Sequence, residues 1–460
     1  MKTNLLDRKF ISRTLTIAIP IMLQNGVTNL VNMLDNIMVG RVGTDAMTGV
    51  AIINQLMFVW ILCIFGGLSG IGIFTAQYFG KGDNKGVRDT FRLQVLLSLL
   101  LTAAGFIILK MFHPALINLY MHEDGGGGNI AATMESAVSY LNAIYFGLIP
   151  FALAQAYSNT MRSVGETVDP MRASILAVIV NLVGNYVLIY GKFGAPALGV
   201  VGAAIATNIS RFVELGYLVI RTHLNTKKYP FIVGAYASFS VPGRLVKNCV
   251  IKGTPLLINE ALWSAGEAVQ TQIFSRRGLS VVSALNISMT IGEVFNVAFI
   301  AMGSATAIII GQELGAFGRT DPERVKRDAW RLTWYSVILC VLSGLLLFVV
   351  SGIFPMIYNT SGDIRELAAG FIRINALFMP MYAFENAAYF TIRSGGKTII
   401  TFFFDSCFTW LASIPLSYAL VTFTAMPILM LLACVKLIEL VKCAIGAFLM
   451  QKGIWINDIT

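Results

Sequence analysis

Eight acidic residues of this 460-residue chain lie inside long apolar stretches: Asp35, Glu214, Glu260, Glu267, Glu293, Glu385, Asp405 and Glu439. An acid at the centre of a bilayer-spanning helix costs about 2.5–3.5 kcal/mol even on the mildest scale, so each is a candidate for holding a proton, an inorganic cation or a cationic ligand. Asp35 leads because of its neighbours. Asn25, Asn29, Asn32 and Asn36 recur at spacings of four, three and four, which draws one polar stripe along a helix, with Gln24, Thr28 and Asp35 beside it. Such a stripe must face protein or water, because lipid offers no hydrogen bonds. A carboxylate there can load and release a proton. The competing reading leaves Asp35 at the helix end, touching interfacial water or pairing with Arg41.

Other polar pairs share helical faces. Asn181 and Asn185 are four apart, placed either to bind helices together or to take part in a cation site. Glu260, Ser264 and Glu267 follow at spacings of four and three, and Glu293 lies seven residues after Asn286. Glu439 lies three residues from both Lys436 and Lys442, and Glu214 three from Arg211; both read as structural ion pairs. Trp263 and Trp410 stand close in sequence to Glu260 and Asp405. Aromatic area beside an acid is what a lipophilic cation requires.

The elements that carry these residues follow from composition. Hydrophobic residues make up 56% of the chain and charged ones 13%, about half the usual charged share of roughly 25%. That excludes a soluble fold, a disordered chain and a disulfide scaffold. A helix needs about 20 apolar residues to cross a bilayer. Twelve segments qualify, near 15–38, 47–76, 93–113, 133–159, 168–190, 196–220, 249–274, 280–311, 332–354, 366–391, 399–421 and 427–450. The net charge of +10 has a location: 24 of the 34 Lys and Arg fall at the termini and in alternate loops on one side. The positive-inside bias then puts both termini in the cytoplasm, for a multi-pass protein of the plasma membrane, and removes any need for a nucleic-acid partner. The six cysteines form no CxxC pair and the three histidines lie far apart, so no metal site is expected. An intramembrane enzyme would need a His/Asp or Ser/Lys constellation inside the spans. The histidines lie only in loops or at helix ends and no complete GxxxxGKS/T phosphate-binding motif occurs, so neither catalysis nor ATP-driven work by this chain is expected.

The chain also repeats itself. Gln77-Tyr78-Phe79-Gly80 and Arg88-Asp89-Thr90-Phe91-Arg92 return as Gln312-Glu313-Leu314-Gly315 and Arg327-Asp328-Ala329-Trp330-Arg331. Thr160-Met161-Arg162-Ser163-Val164-Gly165-Glu166-Thr167 returns as Thr391-Ile392-Arg393-Ser394-Gly395-Gly396-Lys397-Thr398. The expected architecture is therefore an all-α integral membrane protein of twelve transmembrane helices. They form two six-helix bundles (residues 1–222 and 249–460) joined by a cytoplasmic linker (223–248) and related by a pseudo-twofold axis along the membrane normal. Two parallel copies favour a transporter.

The chain resembles the multidrug and toxic compound extrusion family over nearly its whole length. The resemblance rests on Pro20 with Val31-Asn32-Met33-Leu34-Asp35-Asn36-Ile37-Met38-Val39-Gly40 and on Thr75-Ala76-Gln77 with Gly80. It rests also on Arg162 to Thr167, on Asn181 to Asn185 and on Gly199 to Thr207. It implies two six-helix bundles around a central cleft, and antiport of organic, often cationic, compounds against protons or sodium ions. No cofactor is implied beyond that gradient, and the expected partners are small organic molecules and membrane lipids, with the chain working as a monomer. The resemblance places a cation-coupling aspartate at Asp35. It sets Asn185 where some proton-coupled relatives have aspartate, which leaves Asp35 the principal acid of its half. The sodium-coupled branch has an aspartate where this chain has Tyr382, so Glu260, Glu385 and Asp405 are read either as a second cation site, open to sodium at Glu260 and Glu385 or to protons, or as protonated or paired acids bonding helices together. Asn32, Trp263, Glu267, Tyr382 and Trp410 would line the substrate cleft. A flippase of lipid-linked or other amphipathic substrates shares the helix architecture, but it would need a more cationic cleft than these spans offer.

Overall fold

The structure is a computed structural model that describes residues 7–120 and 129–460; within it the side chains of Asn32 and Asn36 lie outside the description. The run Gly125–Gly128, expected at a loop tip, also lies outside the described residues. Twelve helical spans follow one another: α1 (Arg8–Gly40), α2 (Thr44–Gly80), α3 (Asn84–Asn118), α4 (Ile130–Ser163), α5 (Val168–Tyr190), α6 (Gly199–Leu224), α7 (Gly243–Ser275), α8 (Leu279–Phe317), α9 (Pro322–Val350), α10 (Gly362–Ser394), α11 (Thr398–Phe423) and α12 (Ile428–Lys452). No strand occurs among the described residues. The protein is an all-α, multi-pass membrane protein.

Ten of these helices are long and apolar enough to cross a membrane on composition alone. The two others, α7 and α12, fall short because charges interrupt them: Arg244, Lys247, Lys252, Glu260 and Glu267 in α7, and Lys436, Glu439 and Lys442 in the middle of α12. Most helices outrun the apolar segments that announce them. The 39 residues of α8 extend about 58 Å at 1.5 Å per residue, nearly twice the hydrocarbon thickness. Polar ends are helical too: the basic stretch after Lys81, which reads as loop, forms the first turns of α3, and Asp321 caps α9 by accepting from the Arg324 backbone N–H at 3.0 Å.

Proline positions account for two irregular helices. A proline removes the bond to the carbonyl four residues earlier. Pro150 in α4 follows a 3₁₀ turn at Tyr145–Gly147, and Pro415 in α11 follows π-helical turns at Phe403–Cys407 and Thr409–Ser413. Pro20, Pro255 and Pro380 are carried inside otherwise regular helices.

The repeat recurs in the coordinates. Arg92 pairs with Asp89 at 3.1 Å and Arg331 with Asp328 at 2.9 Å, the same i, i+3 bridge in each copy. After α4 the chain turns through Gly165 at φ +87°, and after α10 through the equivalent Gly396 at φ +71°. Each glycine N–H bonds at 2.8 Å to the carbonyl of the arginine three residues back, Arg162 or Arg393. Left-handed backbone explains why both copies keep glycine there.

Chain packing divides the protein into two compact units. One comprises the chain up to Met22, Ala76–Asp83 and Asn248–Thr460; the other comprises Leu23–Thr75 and Asn84–Lys247. The sequence-drawn linker (223–248) ends where this division falls, while the start of α1 and the end of α2 group with the C-terminal helices. In the second unit the linker is folded onto the helices. Tyr229, Phe231, Ile232 and Ala235 are buried, and Arg92 donates to the Ala235 and Gly234 carbonyls at 2.8 and 2.7 Å.

In the first unit the repeated Gln-x-x-Gly segments meet reciprocally. A Cβ on Gly80 would collide with the Gln312 carbonyl, and one on Gly315 with the Gln77 carbonyl; Gly311 presses on Ala76 in the same seam. Ala76-x-x-x-Gly80 and Gly311-x-x-x-Gly315 thus form a small-residue crossing that brings two backbones together. The residues after α12 dock nearby. Trp455 is fully buried, Gln77 bonds both the Asn457 carbonyl and the Ile459 N–H, and Asp458 pairs with Lys81 at 2.9 Å and Arg319 at 2.6 Å. Burial pushes the Asp458 carboxyl up, but the bonds from Lys81 and Thr460 outweigh it and hold the group below the usual carboxylate range.

Gly315→Ala should lower the stability of the purified protein by about 1–3 kcal/mol, read as a fall in melting temperature. Gly292→Ala, which meets open space, should not. Asp458→Asn should lower the melting temperature at pH 7. Because the native carboxyl is held low, its contribution exists above the unfolded value of about 3.9 and fades as pH falls through the native value. The gap between mutant and wild type should therefore close in acid.

Candidate functional site

The Asp35 cluster is built by α1, α5 and α6. Gly184 of α5 packs against Ala206 of α6, and Gly202 of α6 backs onto the Leu188 carbonyl of α5. With no side chain between the two backbones, Asn181 and Asn185 project to meet both α1 and Thr207. Asn185 Nδ2 donates to Asp35 Oδ1 at 2.7 Å. With its amide nitrogen turned toward α1, the orientation that satisfies both ends, Asn181 donates to the two Asp35 oxygens at 2.9 and 3.0 Å and accepts from Thr207 Oγ1 at 3.1 Å. Asn181 and Asn185 are buried, and Asn185 Oδ1 has no partner. Among the described residues Asp35 forms no ion pair. Arg211, on α6, spends its charge on Glu214 at 3.3 Å and lies 4.6 Å over the Phe151 ring. Asp35 is therefore a carboxylate solvated by neutral amides. The pairing with Arg41 that its sequence position left open is not formed.

A second constellation sits in the other unit, on α7, α10, α11 and α12. Gly446 of α12 packs against Ala388 of α10 and Phe404 of α11, and the π-helical turn of α11 presents Asp405. Lys442 is buried there. Its Nζ lies 2.8 Å from Asp405 Oδ1, 3.6 Å from Glu385 Oε2 and 3.8 Å from Glu439 Oε2. The remaining carboxylate oxygens take neutral donors: Asn259 Nδ2 bonds Asp405 Oδ2 at 3.0 Å, Ser413 Oγ bonds Glu439 Oε1 at 2.8 Å, and Cys443 Sγ faces Glu385 Oε1 at 3.5 Å. Glu260, one residue on from Asn259, has Arg393 and Asp405 as charged neighbours. Among the described residues no three His, Cys, Asp or Glu side chains converge as a metal-holding group.

The sequence-derived sets are thus partly assembled. Asp35, Asn181 and Asn185 come together. Glu385 and Asp405 come together through Lys442, with Glu260 beside Asp405. Of the residues assigned to a substrate cleft, Tyr382 has Lys436 5.1 Å over its ring, and Glu267 is a charged neighbour of that lysine. Trp410 Nε1 donates to the Leu262 carbonyl at 2.9 Å, while Trp263 is 44% exposed. The side chain of Asn32 lies outside the described residues. Glu293 is exposed and joins neither cluster. Asn259 and Thr207 are participants that spacing did not single out. Lys442 is visible in the sequence as a lysine inside an apolar run, but its spacing points only to Glu439 on its own helix.

A family model, MatE, matches residues 20–187 and matches again over 255–419. The chain belongs to the MatE family. The two matches begin 235 residues apart, the offset at which the Gln-x-x-Gly segments repeat. MatE proteins are membrane transporters, and membership makes this chain a transporter rather than an enzyme. Curated relatives include a "Probable multidrug resistance protein NorM" of Thermotoga maritima, 25% identical over 88% of this chain and 85% of its own. They include also a "Multidrug resistance protein MdtK" of Yersinia enterocolitica, 25% identical over 88% and 86%. A solved structure described as the outward-facing conformation of a multidrug resistance MATE family transporter superposes with a TM-score of 0.82 at 18% identity, covering 98% of this chain and 99% of the other. A MOP-superfamily transporter from Pyrococcus furiosus, described as having a binding pocket of reverse polarity, superposes equally well, with a TM-score of 0.82 at 18% identity over 98% of each chain. These structural likenesses establish the MatE fold.

Asn259→Ala removes the donor to Asp405 Oδ2 and the acceptor for the Ser406 N–H. Thermal unfolding should show a loss of about 1–3 kcal/mol, whereas Asn286→Ala, at an exposed position, should leave the melting temperature near wild type.

Proposed function

We propose that this MatE protein is a secondary active antiporter of the plasma membrane that exports organic, lipophilic and cationic compounds by alternating access. Protons or sodium ions enter in exchange, Asp35 holds the coupling cation, both termini are cytoplasmic and the chain acts as a monomer. The observation that carries this reading is the solvation of Asp35. Among the described residues its oxygens accept only from neutral amide donors and form no ion pair, Arg211 acting on it only from beyond ion-pair distance, so a single positive charge from solution can take the place of a contact cation. The unpartnered Asn185 Oδ1 adds a neutral acceptor beside the same carboxylate. The naming of curated relatives as multidrug resistance proteins supports organic compounds as the exported class, and the side bias of the basic residues supports the orientation.

The test is dye efflux from proteoliposomes under separately imposed proton and sodium gradients. Wild type should accumulate or expel a lipophilic cation under at least one gradient. Asp35→Asn, which keeps the shape and removes the charge, should cut gradient-driven export about 100-fold or more while the protein still purifies as a folded monomer. A residual activity below that level corresponds to losing over about 2.7 kcal/mol of coupling. Undiminished export by Asp35→Asn overturns the role of Asp35, and the absence of export under either gradient overturns the antiporter reading.

A further inference from the structure

We infer that Lys442 is the built-in cation of the C-terminal helices, so that this half of the transporter takes no sodium from solution. Three carboxylates from three helices, Glu385 of α10, Asp405 of α11 and Glu439 of α12, each direct one oxygen at the same ammonium. Their other oxygens are occupied by Asn259, Cys443 and Ser413. Lys442 is 8% exposed and its donors are spread over acids that no other cation reaches within ion-pair distance among the described residues. A sodium ion needs oxygen ligands around a single point. Here that point is filled by Nζ, and the neutral donors that hold the outer oxygens are N–H, O–H and S–H groups rather than additional ligands.

Removing one partner from such a cage leaves uncompensated buried charge, which is unfavourable enough that the cage must recruit a substitute. The tether makes the lysine always available, whereas a free ion must arrive from solution and lose its hydration. The surrounding charges do not offer a rival: Lys436 is engaged by Tyr382 and Glu267 as well as Glu439, and Arg393 faces Glu260. The contrast with Asp35 is chemical. There the carboxylate meets amides alone, and here every carboxylate meets an ammonium. This inference rests on the antiporter reading only for its consequence in transport; the occupancy itself is a binding statement.

The experiment is therefore sodium binding by the purified full chain, followed with radioactive sodium in a scintillation-proximity titration, beside the proteoliposome assay. Wild type should show no saturable sodium binding that Asp405→Asn or Glu385→Gln removes. Lys442→Met vacates the cage and should raise apparent sodium affinity about tenfold or more, a gain abolished when Asp405→Asn is added. Lys442→Arg should bind as little sodium as wild type. If Lys442→Met does not fold, Lys442→Gln carries the same expectation with a polar replacement. Sodium binding by wild type that depends on Asp405 or Glu385 overturns the inference, and so does a folded Lys442→Met or Lys442→Gln that gains none. The expected binding pattern without export under any gradient would sustain the internal cation while overturning the antiporter reading.

Discussion

A charge inside a helical membrane protein must be balanced by the protein or by something that can reach it, and this requirement governs most of the interior described here. Burying an unpaired carboxylate is far more costly than burying one that is paired and hydrogen-bonded. The helices answer in two ways. Around Glu385, Asp405 and Glu439 the balance is supplied from within, by Lys442 and three neutral donors. Around Asp35 the described residues supply hydrogen bonds, from Asn181 and Asn185, but no ion pair. Amides can solvate either state of a carboxylate, whereas a lysine commits it to the ionised state. A site meant to exchange a cation is better served by the first arrangement.

Holding these groups within hydrogen-bonding range requires close helices, and lipid provides little hydrophobic drive to bring helices together. Small residues do this work at each cluster. Gly184 and Gly202 bring α5 and α6 together beside Asn181 and Asn185, and Gly446 seats α12 against α10 and α11 beside Lys442. The reciprocal approach of Gly80 to Gln312 and of Gly315 to Gln77 follows the same logic. Where the contact is against backbone, as at Gly80, Gly202 and Gly315, the smallest side chain at the glycine displaces a helix, not merely a neighbouring rotamer. The packing is thus coupled to the chemistry through position, and a glycine distant from any carboxylate in sequence can set its hydrogen-bond distances.

Helices, repeat and family were all legible in the sequence because each is a local or periodic signal. Apolar run length marks the spans, and the duplicated Arg–Asp–x–x–Arg and Arg–x–x–Gly segments keep the same bridge and turn in both copies. Asp35 with Asn181 and Asn185 could be anticipated because the polar stripe and the asparagine pair each face one way. Lys442 could not be placed by the same means. Periodicity along α12 relates it to Glu439, but its shortest contact, Asp405, lies 37 residues away across a helix whose register is altered by π-helical turns before Pro415. A π-helical turn rotates the residues around it off the regular 100° step, so a helical wheel drawn on the sequence misassigns the face of Asp405. Glu293 shows the reverse case: spacing joined it to Asn286, and both are exposed and belong to neither cluster.

The repeat also explains how one duplicated design came to handle charge in two ways. The offset that carries Gly165 onto Gly396, 231 residues, carries Arg211 of α6 onto Lys442 of α12. Each copy thus keeps a basic residue at one register of its last helix. The difference lies in where the acids stand. In α6 the ion-pair partner is Glu214, one turn along the same helix, and Arg211 acts on Asp35 of α1 only from longer range. In α12 the local acid, Glu439, is the longest of three contacts, and the lysine reaches across to α10 and α11. The placement of a single acid relative to a basic residue is therefore enough to decide whether that residue pairs within its own helix or is shared among several, without any change in the fold that both copies share.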